Sequence, residues 1–145
     1  MTRPVIVVGV ASSPHPAVVV RAAADMAAAL DGELITVHVL RLPVVVAPES
    51  IAAVGAAIAA DEDAERSVHL ACSGVLEAYR IPWRFEPRRG EVAVELQAVA
   101  DEHDAACIVI GRHGRHHLVH ALSGSPLHPL VDNSLRPVLV VPTRV

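Results

Sequence analysis

At 145 residues and 15.3 kDa, with 52% hydrophobic and 19% charged residues, the chain has the length and composition of one globular domain and not of a disordered segment. A net charge of −4, a pI near 6.1 and 2% aromatic residues exclude general nucleic-acid binding, which calls for a basic face and stacking platforms. Every basic side chain is arginine, which excludes chemistry that needs a lysine, such as a P-loop or a Schiff base.

The longest apolar runs are broken by charges or prolines well short of the roughly 20 residues that a membrane span needs. Arg3 and Pro4 precede only a six-residue apolar run, which does not read as a signal peptide. The expectation is a cytoplasmic protein with no membrane contact. Cys72 and Cys107 fall in a predicted helix and a predicted core strand, where a reduced, structural role is expected.

Residues 4–10 form a continuous β-branched run, the mark of a strand buried on both faces. Residues 11–14 are its loop. From 15 to 30 the apolar side chains cover a wide helical face, closed by Asp31 and Gly32. Residues 33–40 are the second strand, and 42–50, with two prolines and three valines, form an irregular connector. An alanine-rich tract from 49 to 80 reads as one long helix or as two pieces meeting near Gly55. Residues 82–87 make a poorer strand, whose prolines and charges suit a sheet edge. An amphipathic helix follows over 91–103, with Val92, Leu96 and Val99 or Ala100 on one face. A strand at 106–110, a glycine loop, a short helix near 129–135 and a last strand at 137–142 complete the chain. Alternating strands and helices predict right-handed βαβ units, a parallel sheet and a single α/β domain over 1–145, without giving the strand order.

The last quarter carries the most chemistry. The apolar strand runs into Gly111, Arg112, His113 and Gly114, and Gly124 and Ser125 follow before a final apolar strand. Paired glycines after a buried strand let consecutive N–H groups turn toward an anion, and a helix starting beyond Ser125 would add a positive dipole end. The pattern Gly111-x2-Gly114-x9-Gly124-Ser125 resembles the nucleotide loop of the universal stress protein family, and the resemblance covers essentially the whole chain.

That resemblance implies an open five-stranded parallel sheet of order 3-2-1-4-5 with helices on both faces, similar to the adenine nucleotide alpha hydrolase and Rossmann folds. It implies that the loop after strand 1, with Val10, Ala11 and Ser12, and the end of strand 2 hold adenine and ribose. Val39 and Ile110 would flank the base, and Gly111, His113, Gly114, Gly124 and Ser125 would lie on the phosphate side. The ligand implied is ATP, AMP or cyclic AMP, with magnesium or with no cofactor at all. A homodimer paired through Val138, Leu139, Val140 and Val141, signalling through an unidentified protein partner, is also implied. Chain reversal between strands 1 and 4 puts Ala11 and Gly111 beside one crevice, where open α/β sheets bind ligands.

The chain departs from the family pattern at three places. Ala11 stands where nucleotide-binding members carry an Asp, although Ser12 and Ser13 offer hydroxyls. Pro126 removes a backbone donor and Leu127 a hydroxyl. Each lost charge-assisted hydrogen bond costs about 1.5–3 kcal/mol. Pro129 would also delay the start of the following helix. Against these, Arg112 and Arg115 either grip a phosphate bidentately or are solvated surface arginines.

His113, His116, His117 and His120 would share one side of a helical turn. Such pairs chelate zinc or nickel, yet no carboxylate lies between Cys107 and Val131, and solvated histidines are the expectation. No nucleophile and base stand at a catalytic spacing, and without an Asp at position 11 no magnesium ligand is evident. Three readings follow: a nucleotide-binding signalling dimer, the same fold with a degraded site working as a scaffold, and, last, a slow ATP hydrolase.

Overall fold

The structure, a computed structural model, describes residues 2–12, 16–41, 51–113 and 127–143. Among the described residues five strands alternate with four helices: β1 (Val5–Gly9), α1 (Pro16–Ala29), β2 (Glu33–Leu40), α2 (Ile51–Leu76), β3 (Trp83–Arg89), α3 (Val92–Glu102), β4 (Cys107–His113), α4 (Leu127–Asn133) and β5 (Val138–Thr143). The sheet is parallel throughout, in the order β3-β2-β1-β4-β5.

The central strand shows why its sequence is unbroken hydrophobic. Ile6 and Val8 point into one cluster with Val19, Val20, Ala23 and Cys72 of α1 and α2. Val5 and Val7 point into a second, with Leu96, Val99 and Leu130 of α3 and α4. Both faces of β1 are therefore covered, and each buried valine is worth roughly 1.5–3 kcal/mol over exposure.

α1 buries Val19, Val20, Ala23, Ala24 and Ala27, a small-residue stripe that brings it close to the sheet. Its end corrects the sequence expectation for Gly32. Asp31, at φ 51°, takes the left-handed position, while the Gly32 N–H reaches back to Ala27 O at 2.7 Å. Gly32 is needed for space: a Cβ there would lie 2.5 Å from the Pro4 carbonyl oxygen. Asp104, at φ 48°, repeats the device after α3, with Ala105 N–H bonded to Ala100 O at 2.9 Å.

α2 is one helix through Gly55, not two. Val68, Cys72 and Leu76 of its second half are buried, whereas its first ten residues are all exposed. Length explains the difference. Twenty-six residues span about 39 Å at 1.5 Å per residue. The eight residues of β2 span about 26 Å at 3.3 Å each. The helix overhangs the sheet.

β3 is an edge strand, as its prolines and charges predicted. On its α3 side Arg88 sits among Glu86, Glu95 and Glu102, and Arg84 lies 2.8 Å from the His103 ring. On its other side His69 of α2 stacks on Phe85 at 4.5 Å between centroids. β5 forms the opposite edge, with Leu139 36% exposed.

Candidate functional site

The crossovers α1 and α2 lie on one face and α3 and α4 on the other, so the winding reverses between β1 and β4. The carboxyl ends of these two strands form the crevice where such sheets take ligands. Gly9 pairs with Val37, and Val8 with Val109. Counting on from these registers, Val39, Ala11 and Arg112 reach the same end of three neighbouring strands.

Val10 extends the ladder one residue past β1, its N–H donating to Val37 O at 2.8 Å. Its side chain is buried among α1 and α2. Ala11 and Ser12, by contrast, are exposed. They line an open cleft of about 380 Å3 with Pro16 of α1 and Ala64, Ser67, Val68 and Ala71 of α2. Val39 and Ile110 pack on the α3 side of the sheet, against the cluster of Val7 and Leu96. The structure thus gathers these residues around one strand end but divides them between its faces, with Val10 on one side and Val39 and Ile110 on the other.

The sequence reading ends β4 at 110, and the structure corrects it. β4 continues to His113 because β5 offers partners to its full length: Gly111 pairs with Val141, Arg112 with Pro142 and His113 with Thr143. The Thr143 hydroxyl donates to Arg112 O at 2.9 Å. Gly111 is accordingly a strand residue, and its missing side chain has a packing reason. A Cβ there would meet Val19 Cγ2 of α1 at 2.7 Å. Gly9 does the same for the other face, where a Cβ would meet Leu96 Cδ1 of α3 at 2.9 Å. The two glycines let a helix approach from each side of the switch point. Arg112 is exposed just beyond.

Ser13, Gly114, Arg115, Gly124, Ser125 and Pro126 lie outside the described residues, as do His116, His117 and His120. α4 begins at Leu127, two residues earlier than expected. Pro129 falls in its first turn, where a missing N–H costs no intrahelical bond.

One buried polar group went unread in the sequence. His38 stands on the α1 and α2 face of β2 at 3% exposure, and its Nδ1 donates to Val10 O at 2.8 Å. That bond and the Val37 ladder hold the residue before Ala11 from two sides. The Nε2 is buried and has no hydrogen-bond partner among the described residues. A histidine between Val37 and Val39, on the same face of the strand as Leu34 and Thr36, was the available signal.

The nearest arrangement to a metal centre among the described residues is Glu86, Glu102 and His103, whose ligand atoms lie within 4.8 Å of one another. Arginine already occupies it. Arg88 bonds both carboxylates and Arg84 the imidazole, so the group acts as an ion-pair network joining β3 to α3. The buried thiols are equally unsuited to chemistry: burial pushes Cys72 up to about 11, opposed by the Thr36 hydroxyl, and raises Cys107 as well.

Fold and crevice define an open, doubly wound, Rossmann-like α/β domain. The sequence matches the Universal stress protein family over residues 2–142, and the chain belongs to that family. Among solved structures, a universal stress protein family member from Burkholderia pseudomallei is 22% identical, with 97% of each chain covered and a TM-score of 0.74. A universal stress protein in complex with cAMP is 22% identical, over 97% of this chain and 98% of that one, with a TM-score of 0.69. The Archaeoglobus fulgidus universal stress protein in complex with dAMP is 19% identical, over 96% and 97%, with a TM-score of 0.67. A comparison with curated proteins by sequence gives no match. Among the described residues no helix is long and apolar enough to cross a membrane.

Proposed function

We propose that the chain is a cytoplasmic adenine-nucleotide-binding module for stress signalling that works as a homodimer and through a protein partner. The observation that carries this reading is the meeting of Val39, Ala11 and Arg112 at one end of three adjacent strands beside the winding reversal. The bound cAMP and dAMP of two structural neighbours support an adenine nucleotide, with ATP, AMP and cyclic AMP as the candidates. Exposed Arg112 would face the phosphates and half-buried Val39 would flank the base, with buried Ile110 packed behind it. Dimerisation would run through β5, an apolar edge strand of the kind that is usually paired or covered. Catalysis is left out of the reading beyond a slow ATP hydrolysis, with or without magnesium.

A second reading, a scaffold with a degraded site, is favoured by Ala11, which is exposed and has no acceptor for a ribose hydroxyl. Mass spectrometry of whatever the denatured protein releases, after purification without added nucleotide, separates the two. Near-stoichiometric adenine nucleotide is expected. An empty protein that gives no heat with millimolar ATP and magnesium would leave the scaffold reading. The dimer is tested by sedimentation of Leu139→Lys, whose charge on the outer edge should leave a monomer.

A further inference from the structure

The carboxyl end of the sheet carries an arginine on each side of β1. Ile35, Val37 and Val39 of β2 face α3, as Ile108 and Ile110 of β4 do, and the next places in the two rows are Arg41 and Arg112. Both arginines are exposed. Between them β1 runs out toward Ala11. Since Val39, Ala11 and Arg112 are level, Arg41 stands two residues further out than Arg112 and two strands across. At about 4.8 Å between strands and 3.3 Å per residue, their Cα atoms are roughly 12 Å apart. A nucleotide phosphorylated only at its 5′ end gives Arg112 a partner and leaves Arg41 without a purpose in the crevice.

We infer that the crevice takes an adenine nucleotide whose ribose carries a phosphate on its 2′ or 3′ hydroxyl, with Arg41 as the residue that selects it. The inference rests on the nucleotide reading above and names the class of nucleotide. Doubly wound folds discriminate at the ribose by charge: an acidic residue accepts from a free hydroxyl, whereas a nearby arginine accommodates a ribose phosphate. Arg41 directly follows the end of β2, and Ala11 at the end of the adjacent strand supplies no carboxylate to repel the phosphate. Arg112, across β1, is left for the 5′ phosphate. A guanidinium grips phosphate through two parallel hydrogen bonds, and its five donors serve one partner without excluding another.

The described acids near this rim are accounted for. Glu91, exposed at the start of α3, follows Gly90, whose N–H donates to Leu40 O at 2.9 Å. It therefore stands on the β3 side of Arg41, while Ala11 stands on the β1 side. Glu95 pairs with Arg88 at 3.7 Å. Asp61 meets Arg89 at 4.0 Å, and Asp61, Glu62, Asp63 and Glu65 all belong to α2, which covers the face of the sheet opposite to the row of Val39. Glu49 lies outside the described residues.

Calorimetry on the full chain tests the inference, with AMP, adenosine 2′,5′-bisphosphate and adenosine 3′,5′-bisphosphate as titrants. One bisphosphate is expected to bind about ten- to a hundredfold more tightly than AMP, the worth of one charge-assisted pair, and the tighter of the two names the hydroxyl. Arg41→Gln should bring that ratio to about one with an unchanged circular dichroism spectrum, whereas Arg89→Gln, an exposed arginine of the next strand, should keep it. Ala11→Asp should invert it in favour of AMP, since a carboxylate repels the added phosphate. A ratio within about twofold in the natural chain overturns the inference and leaves the nucleotide reading standing. A ratio that survives Arg41→Gln, or falls equally with Arg89→Gln, overturns it in favour of a general charge effect. No heat from any of the three, nor from ATP, would overturn the nucleotide reading along with it.

Discussion

The imidazole of His38 donates to the carbonyl of Val10, 28 residues away, at 2.8 Å and out of contact with water. The bond joins the end of β1 to β2 at the residue before Ala11, so it sets where the crevice loop leaves the sheet. His38→Ala removes the donor, orphans a buried carbonyl and opens space. A loss of about 2–4 kcal/mol in urea unfolding is expected from the hydrogen bond and the cavity together. A loss below about 0.5 kcal/mol would show that the bond does not anchor the strand end.

Gly111 and Val19 make a second pair that can be separated from the first. Gly111→Ala drives a methyl to 2.7 Å of Val19 Cγ2, and overpacking of this sort costs about 1–3 kcal/mol. Val19→Ala should recover much of that cost, giving a coupling above about 0.5 kcal/mol in a double-mutant cycle. Additive effects would instead place the cost of Gly111→Ala in the local backbone.

The thiol of Cys72 supplies a pH prediction. Burial raises it from 9.0 to about 11 in the folded protein. Its contribution is fully present below pH 9, since both folded and unfolded chains then keep the proton. Above pH 9 the unfolded chain ionises first, and stability falls by about 1.4 kcal/mol per pH unit until the folded thiol titrates. Urea midpoints between about pH 8 and 10.5 should therefore decline more steeply for the natural chain than for Cys72→Ala. Parallel slopes would contradict the shift.

For the crevice, Ala11→Asp is the informative substitution. Ala11 is exposed at the rim of the α1 and α2 cleft, so a carboxylate costs little stability there. One charge-assisted hydrogen bond to a ribose hydroxyl should tighten ATP about tenfold or more by calorimetry. Leu127→Ser is a poorer probe, because Leu127 packs at the edge of the α3 and α4 cluster and its loss costs burial. Unchanged affinity in Ala11→Asp would end the account of a weakened nucleotide site.

Much of this was legible in the residues. β-branched runs, the 3.6-residue face of α1 and its close at Asp31 and Gly32 were enough for five strands alternating with helices in a parallel sheet. The prolines of β3 marked its edge. Local pattern reaches only a few residues along the chain, and what depends on distant partners escaped it. The order β3-β2-β1-β4-β5 came from family resemblance, because any order satisfies the same periodicities. Gly111 looked like the start of a loop until β5 supplied its ladder partner and α1 its steric reason. His38 was only one residue of the second strand until the fold brought Val10 within 2.8 Å. The alanine-rich start of α2 had the composition of a buried helix. Only the tertiary structure left it in water, because a helix of 26 residues outruns a strand of eight.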